Sequence, residues 1–399
     1  MNVPKLRFKE FNDEWQSINL ANVFQYFATN SFSRDQLSES GILKNLHYGD
    51  IHKRYNSIVN ENDEIASYVK DINYDNKYEL LKNNDLIFAD ASEDYEGIGK
   101  AVEVLNVNNK TISGLHTILA RDNLNVFAPM FKGYYFNSPI VHNQLRVLAN
   151  GFKVYGISKD SINKLNIKVP STNEQTKIAN TLYLLDKKIE LQSKKIEALK
   201  LFKKGLIKTF FSDRNLKQIK INEVGRIITG TTPSKSINSY WDNGDIIWVT
   251  PTDINENRDI DNSIFKITDD GLKNGRFIPK NSILVTCIAS IGKNAILKVD
   301  GSCNQQINAI IPNKNFNYNY IYYLVESISN YMKSIAGTSA TSIINKDEFS
   351  KITVRIHPKE KQDYIASILS QFESKILLEN SKLNQLNQLK KGLMQNMFV

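Results

Sequence analysis

Residues 173–211, NEQTKIANTLYLLDKKIELQSKKIEALKLFKKGLIKTFF, recur as residues 360–398, EKQDYIASILSQFESKILLENSKLNQLNQLKKGLMQNMF. Phe211 aligns with Phe398, which sets a constant offset of 187 residues between the two copies. Both copies carry the run KKGL near their end. An internal repeat of this length is typical of a duplicated structural unit, so the sequence predicts two related halves.

Both copies have the apolar spacing of a long helix, with steps that alternate between four and three residues. The first series is Ile178, Leu182, Leu185, Ile189, Gln192, Ile196, Leu199, Lys203, Leu206 and Phe210. The second series is Ile365, Leu369, Phe372, Ile376, Glu379, Leu383, Leu386, Lys390, Leu393 and Met397. This period is typical of a coiled-coil seam. Because Gln192 and Lys203 interrupt the first series where Glu379 and Lys390 interrupt the second, we expect one shared register and antiparallel pairing with pseudo-two-fold symmetry. Two independent surface helices are the alternative.

The segments before the two helices also correspond, although more loosely. NDLIFADA at residues 84–91 resembles NSILVTCI at residues 281–288, and Leu20 and Val23 resemble Ile221 and Val224. Short apolar runs broken by Gly, Asn and Asp predict mixed α/β (α+β) globular domains. The predicted order is a first domain, a long helix, a second domain and a second long helix, with bounds 1–169, 170–212, 213–356 and 357–399.

Composition narrows the class of protein. At roughly 100 to 200 residues per domain, the 399 residues, 41% of them hydrophobic, predict two or three cores. The net charge of +9 suits a polyanionic partner without requiring one. Two cysteines are too few for a disulfide framework, and no window has the apolar length of a membrane span, so we expect a cytoplasmic protein.

Known catalytic motifs do not match. The GIGK run at residues 97–100 and the IGK run at residues 291–293 lack the phosphate-loop spacing, and their recurrence favours a structural turn. The five histidines are scattered, and the sequence has neither a nucleophile elbow nor a dinucleotide fingerprint. These observations predict a chain with no catalytic residues, no metal and no cofactor of its own.

One acidic cluster is compatible with a second hypothesis, a nuclease. Asp90, Glu93 and Asp94 could combine with Lys100 in a metal-dependent site. The second domain has Cys287 at the place of Asp90, which weakens that reading.

Polar, basic and aromatic residues cluster on loops, where such side chains can contact phosphates and base edges. The candidates of the first domain are His47, Tyr48, His52, Lys53, Arg54, Tyr55, Ser92 and Lys100. The candidates of the second domain are Thr231, Thr232, Ser234, Lys235, Ser236, Tyr240, Lys273, Arg276, Thr338 and Ser339. The alternative for each loop is a solvated turn, and Trp241 and Trp248 are expected in the core.

These motifs together resemble the specificity subunits of type I restriction-modification enzymes, over nearly the whole chain. The resemblance depends on the duplicated plan, the VP-x-x-x-EQ-x-x-IA pattern from Val169 to Ala179, the KKGL runs, HYGDI at residues 47–51 and GTTPS at residues 230–234. Lys361 stands where the second copy of the pattern should have Glu. The first domain has no G-T-x-P-S loop, so its contacts cannot be mapped from those of the second by sequence.

The resemblance implies a non-catalytic reader of double-stranded DNA. It further implies two methyltransferase subunits that carry S-adenosylmethionine and, in the full enzyme, two restriction subunits that use ATP and Mg²⁺. The DNA target is then split into two different half-sites, expected about 10 bp apart. Leu191, Leu201, Ile207 and Phe211 lie off the seam and are our candidates for partner contact. The alternatives are a coiled-coil scaffold that does not bind DNA and a stand-alone nuclease.

Overall fold

The long helices are each divided between two units of the structure. The computed structural model describes residues 3–63, 66–70, 78–255, 257–337 and 343–399. Its first unit comprises residues 1–193 and 381–399, and its second unit comprises residues 194–380. The units therefore do not coincide with the four predicted segments. No helix among the described residues is long and apolar enough to span a membrane.

The first unit is rich in short strands. They are β1 (Gln16–Asn19), β2 (Phe24–Phe27), β3 (Leu37–Ser38), β4 (Lys44–Leu46), β5 (Ile58–Asn60), β6 (Ser67–Val69), β7 (Leu86–Ala89), β8 (Ala91–Ser92), β9 (Ala101–Leu105), β10 (Thr111–Ser113), β11 (Thr117–Asp122), β12 (Tyr155–Gly156) and β13 (Asn166–Val169). Its helices are α1 (Tyr48–Lys53), α2 (Phe131–Phe136), α3 (Pro139–Leu148), α4 (Lys159–Asn163) and the beginning of the long helix α5 (Thr172–Phe211).

The second unit has the same kinds of elements. Its strands are β14 (Lys217–Lys220), β15 (Gly225–Thr229), β16 (Ile246–Val249), β17 (Asp259–Ile260), β18 (Phe265–Ile267), β19 (Ile283–Thr286), β20 (Asn294–Leu297), β21 (Gly301–Cys303), β22 (Ile307–Pro312) and β23 (Thr353–Ile356). Its helices are α6 (Ile221–Val224), α7 (Asp269–Lys273), α8 (Tyr318–Ile335), α9 (Lys346–Lys351) and the beginning of the long helix α10 (Lys359–Asn396).

The two units share one strand order. The five-stranded sheet of the first unit runs β2-β11-β7-β9-β5, and that of the second runs β15-β22-β19-β20-β17. In each sheet the last strand pairs parallel with its neighbour, and the other pairs are antiparallel. A second sheet is ordered β10-β4-β6-β3 in the first unit and β21-β16-β18 in the second. This repetition confirms the predicted pair of related mixed α/β domains.

Backbone hydrogen bonds extend the equivalence to single residues. The N–H of Asp90 donates to the carbonyl of His116 (3.1 Å), and the N–H of Cys287 donates to the carbonyl of Gln306 (2.9 Å). Asp90 is therefore structurally equivalent to Cys287, as the sequence indicated, and His116 is equivalent to Gln306.

The central strand β7 is apolar on both faces because each face has its own core. Leu86 and Phe88 pack in a cluster with the aromatic residues of α2, whereas Ile87 and Ala89 pack in a cluster on the opposite side. Successive side chains of a strand point to opposite faces, so an uninterrupted apolar run is needed here. The run LIFA in NDLIFADA supplies it.

The end of each long helix is anchored in a domain core. Phe211, the last residue of α5, packs against Tyr320 and His357 in the second unit, with ring centroids 5.2 and 5.9 Å away. Phe398, just after α10, packs against Phe131 and Tyr135 in the first unit at 5.9 and 5.6 Å. The equivalent phenylalanines of the repeat thus have equivalent roles.

Ion pairs show the direction in which the helices pair. In the second unit, Lys195 contacts Glu379 (Nζ to Oε1, 3.0 Å), and Lys203 contacts Glu373 (Nζ to Oε2, 2.5 Å). Residue numbers rise along α5 as they fall along α10, so the pairing is antiparallel, as predicted. The predicted seam positions of both helices are buried or half-buried throughout.

The same ion pair forms in the first unit. Asp186 of α5 contacts Lys390 of α10 (Oδ1 to Nζ, 2.5 Å), and the hydroxyl of Tyr134 donates to the other carboxylate oxygen at 2.9 Å. The repeat offset of 187 residues converts Asp186 into Glu373 and Lys203 into Lys390. The seam lysines Lys203 and Lys390 therefore pair with equivalent carboxylates beside the seam of the opposite helix, and these two reciprocal contacts fix one alignment of the helices.

We predict that Lys203→Met lowers the free energy of unfolding by about 3 kcal/mol, because it leaves the largely buried carboxylate of Glu373 without its cation. The exposed neighbour Lys204 is the matched control, and Lys204→Met is expected to change that free energy by less than about 0.5 kcal/mol. Urea denaturation followed by circular dichroism measures both. Equal effects of the two substitutions would contradict the claim that the ion pair of Lys203 with Glu373 fixes the register of the helices.

Candidate nucleic-acid interface

The turn between β4 and α1 positions the HYGDI residues of the first unit. His47 is the N-cap of α1, and its Nδ1 accepts a hydrogen bond from the N–H of Gly49 at 3.1 Å. Burial, followed by the nearby charge of Arg34, lowers the pKa of His47, which keeps the ring neutral and able to accept. His47 is only 5% exposed and shapes the turn, which leaves little of its ring open to a ligand.

Tyr48 lies at the centre of a group of imidazole rings. Its ring centroid is 4.7 Å from that of His47, 5.3 Å from that of His116 and 6.2 Å from that of His52. The Nδ1 atom of His116 lies 3.3 Å from a carboxylate oxygen of Asp90. His116 has a positive φ of 54°, a backbone conformation that is uncommon for a residue with a side chain. Sequence reasoning missed His116, whose only signal is its position in the turn that enters β11.

Three other candidates of the first unit are internal residues. Tyr55 is 3% exposed and belongs to the core, and Ser92 is buried in its own turn, where its hydroxyl donates to the carbonyl of Asp94 at 2.8 Å. The Nζ atom of Lys100 donates to the backbone carbonyls of His52 (3.2 Å) and Tyr55 (2.6 Å). All three side chains are held inside the unit, and their contact with DNA stays a prediction. Lys53 and Arg54 are exposed, as a contact to DNA requires.

In the second unit, hydrogen bonds to backbone carbonyls hold the GTTPS loop in place. The N–H of Thr231 donates to the carbonyl of Cys303 (2.9 Å), and the indole N–H of Trp248 donates to the carbonyl of Thr231 at the same distance. A side chain at Gly230 would place its Cβ 2.2 Å from the Cys303 carbonyl oxygen, so only glycine fits. The hydroxyl of Thr232 donates to the side-chain oxygen of Gln305, which brings the loop against the turn between β21 and β22.

The remaining candidate residues of this loop follow the GTTPS run in sequence. Ser234 and Ser236 are exposed and share a hydrogen bond of 2.8 Å, and Lys235 between them is exposed. Trp241 donates from its indole to the carbonyl of Ser234 at 3.1 Å, and Tyr240 is half-buried.

Arg276 contacts the end of β15, directly before the GTTPS loop, whereas Lys273 does not. The exposed guanidinium of Arg276 donates to the carbonyl of Thr229 at 2.7 Å. Lys273 pairs instead with Asp270 on its own helix α7, at 2.9 Å. Thr338 and Ser339 lie outside the described residues.

The first unit has a segment equivalent to the GTTPS loop after all. The N–H of Asn30 donates to the carbonyl of Ser113 (3.2 Å) just as that of Thr231 donates to Cys303, so TNSFS at residues 29–33 occupies the place of GTTPS. The backbone thus relates two segments that share no sequence motif, whereas the DNA contacts of the first unit stay a prediction. The spacing of 201 residues that relates Leu20 to Ile221 would have identified the segment.

The HYGDI turn likewise has a counterpart. The N–H of Asp50 donates to the carbonyl of His47 (2.9 Å), and that of Asp253 donates to the carbonyl of Thr250 (3.0 Å). TPTDI at residues 250–254 therefore repeats the turn with different side chains.

Comparisons with known proteins agree with this duplicated frame. The sequence model of the family "Type I restriction modification DNA specificity domain" matches residues 12–201 and 214–388. The chain belongs to the type I restriction-modification DNA specificity family.

Individual relatives of this specificity family also match by sequence. The MjaIX specificity subunit of Methanocaldococcus jannaschii is 34% identical over 188 residues, which are 45% of this chain and 43% of that protein. The matched stretch therefore spans less than half the length of that relative.

Two solved structures share the fold. The S subunit of the type I restriction-modification system from M. genitalium is 14% identical, covers 100% of this chain and 99% of its own length, and has a TM-score of 0.62. A chain from work on complex assembly and conformational transition of the type I R-M system is also 14% identical with a TM-score of 0.62, over 95% of this chain and 96% of its own. At such low identity the likeness shows the fold alone.

The EQ pattern of the specificity family has a direct structural role in this chain. The side-chain amide of Gln175 donates to the carbonyls of Pro170 (3.0 Å) and Val126 (3.1 Å). Gln362 donates to the carbonyl of His357 at 2.9 Å and accepts from the N–H of Asn317. Each glutamine thus joins the first turn of a long helix to its own domain.

The nuclease-like cluster is not assembled. Asp90 contacts His116, Asp94 accepts the N–H of Glu96 within its own turn (3.0 Å), and Lys100 is bound to backbone carbonyls. Within the described part of the chain, no group of three or more His, Cys, Asp and Glu side chains could hold a metal ion. The GIGK run forms a turn, as predicted, with Gly99 at a φ of 76°.

Lys100 makes stability depend on pH. Burial, followed by the nearby charge of Lys390, lowers the pKa of Lys100 to about 8. The pKa of Lys100 in the unfolded chain is higher, at 10.5, so between pH 8 and pH 10 the unfolded state binds more protons than the folded state. The free energy of unfolding should therefore rise with pH over this range, and the gain is lost as the pH falls to 8.

We predict that Lys100→Met removes this rise in the free energy of unfolding. Urea denaturation of the variant and the wild type at each pH measures the difference between them. Lys53→Met, at an exposed lysine of α1 in the same unit, is the control and should keep the rise. A pH dependence that Lys100→Met leaves unchanged would show that Lys100 is solvated.

Proposed function

We propose that this chain is the DNA specificity subunit of a type I restriction-modification system, and that each unit reads one half of a split, asymmetric target. One observation carries the proposal: a single backbone frame, built twice, presents different side chains at equivalent positions. The equivalent pairs are Asn30 with Thr231, Tyr48 with Pro251 and His116 with Gln306. Equal frames suit two similar tasks, and unequal side chains suit two different base sequences.

The chemistry of the two surfaces suits duplex DNA. The first unit offers imidazole, phenol and guanidinium groups, and the second offers hydroxyl, amide and cationic groups on the GTTPS loop and Arg276. Such donors and acceptors match base edges in the major groove and phosphate oxygens. The net charge of +9 favours association with the phosphate backbone.

Two methyltransferase subunits are the partners that the helices support best. Leu191 of α5 is 65% exposed, and Leu378 of α10, its equivalent at the repeat offset, is 51% exposed. Phe202 and its equivalent Leu389 are also exposed, as is Leu201. Exposed apolar residues that recur in a duplicated helix suit one partner bound twice.

Two of the expected partner contacts are buried in this chain. Ile207 and Phe211 do not face outward: they are 5% and 8% exposed in the core of the second unit, because the end of α5 packs inside that domain.

In this proposal the chain itself carries no catalytic group. The methyltransferase subunits bring S-adenosylmethionine, and restriction subunits bring ATP and Mg²⁺. A coiled-coil scaffold that does not bind DNA is the second candidate, and the paired long helices are the observation in its favour.

We predict that the chain in complex with its methyltransferase selects, from a library of random duplexes, a motif with two fixed blocks and an unread gap. Replacing residues 231–236 by the equivalent residues 30–35, which keeps Gly230, should alter one block and leave the other unchanged. Sequencing of the bound fraction measures both. Selection of no motif would favour the scaffold, and a change in both blocks would contradict one unit per half-site.

We predict that Leu191→Asp and Leu378→Asp each reduce the number of bound methyltransferase subunits from two to one, because each places a charge in one apolar contact. The double variant should bind none. Leu184 is an exposed leucine whose equivalent in α10 is the polar Gln371, so Leu184→Asp is the control. Light scattering of the purified complex measures the mass. Two bound subunits in the double variant would contradict these contacts.

A further inference from the structure

We propose that Arg34 reads a guanine in the half-site of the first unit and that Asp50 is the residue that positions it. This inference depends on the proposed function and deepens it, because it names a base and the side chain that selects it.

Arg34 occupies the place of a loop cation of the second unit. It directly follows the TNSFS segment, as Lys235 follows GTTPS. Ser33 begins a turn closed by the N–H of Gln36 (3.0 Å), and Ser234 begins the same turn, closed by the N–H of Ile237 (3.3 Å). Arg34 and Lys235 are therefore equivalent, and both are exposed.

The surroundings of the two cations differ in one carboxylate. Asp50 is 1% exposed, and its Oδ1 accepts a hydrogen bond from Nη1 of Arg34 at 3.0 Å. The equivalent Asp253 uses its carboxylate on backbone N–H groups, those of Thr250 (2.7 Å) and Ile264 (2.9 Å). Lys235 has no such partner among the hydrogen bonds and ion pairs of the described residues.

A small residue makes room for the guanidinium. A Cβ atom built on Gly49 would lie 3.3 Å from Nη2 of Arg34, so Arg34 lies over the first turn of α1. The equivalent residue in the second unit is Thr252, which carries a side chain where Gly49 has none. The first unit thus combines a small residue, a buried carboxylate and an arginine at one point.

This arrangement holds the guanidinium while leaving donors for a ligand. Only Nη1 is bound to Asp50, and within the described residues Nε and Nη2 donate no hydrogen bond. The arginine side chain is 54% exposed. A planar fork with two parallel donors matches the O6 and N7 acceptors of guanine, whereas a lysine ammonium acts as a point charge.

Asp50 also has one carboxylate oxygen that accepts no hydrogen bond. Its Oδ2 is buried without a hydrogen-bond partner, and Nη1 of Arg54 lies 3.8 Å from Oδ1. One carboxylate therefore faces two arginines. The geometry suits a contact in which Arg34 reads the base edge and Arg54 remains close to the backbone phosphates.

The test compares Arg34→Ala with Lys235→Ala in the complex of the chain with its methyltransferase, using the target that the wild-type complex selects. Arg34→Ala should lower the discrimination for guanine at one position of the first half-site by about tenfold to a hundredfold and leave the other half-site unchanged. Lys235→Ala should weaken binding to all sequences alike, with a shallower salt dependence.

Two further measurements keep the test independent of folding. Asp50→Asn should reduce the same discrimination in part, because an amide cannot hold the guanidinium as a carboxylate does. In the wild-type complex, replacing that guanine by 7-deazaguanine, which lacks N7, should weaken binding as Arg34→Ala does. Circular dichroism checks that each variant is folded.

Two results would overturn the inference and leave the proposed function intact. In one, Arg34→Ala lowers the base discrimination at no position of the selected target. In the other, the selected target contains no guanine in the first half-site. A wild-type complex that selects no target would overturn both.

Discussion

The alignment of the two long helices depends on one ion pair that is made twice, once in each unit. Asp186 with Lys390 and Lys203 with Glu373 are the same contact displaced by the length of the repeat. An unpaired charge in a helix seam is costly, so a shifted alignment would lose both pairs at once. The seam leucines and isoleucines stabilise pairing in general, whereas these charges select one register.

That register places the end of each long helix inside the core of a domain. Phe211 and Phe398 enter two different cores, and Gln175 and Gln362 join the helix starts to the same two domains. Each unit is therefore completed by both long helices and not by one alone. This dependence explains why the compact units cut across the helices instead of following the order of the segments along the chain.

Much of this architecture could be predicted from the sequence, because the repeat and the 3.5-residue period are long-range patterns that few structures satisfy. The outward or inward direction of single loop residues could not. His47 and Tyr55 belong to the polar run HYGDIHKRY, but one caps a helix and the other enters the core, and both roles depend on the turn that the backbone makes. Ile207 was expected outside because it lies off the seam, yet α5 ends inside a domain, where more than one face is covered.

The duplicated frame separates two requirements of a sequence reader. Backbone contacts that recur in both units hold the loops at fixed positions, while the side chains on those loops are free to differ between the units. The most direct measurement of this account is sequencing of methylated bases in DNA from a host that expresses the chain together with its methyltransferase. The account predicts a split motif with methyl-adenine in both halves, present only when both proteins are present. Methylation whose motif does not depend on this chain would contradict it.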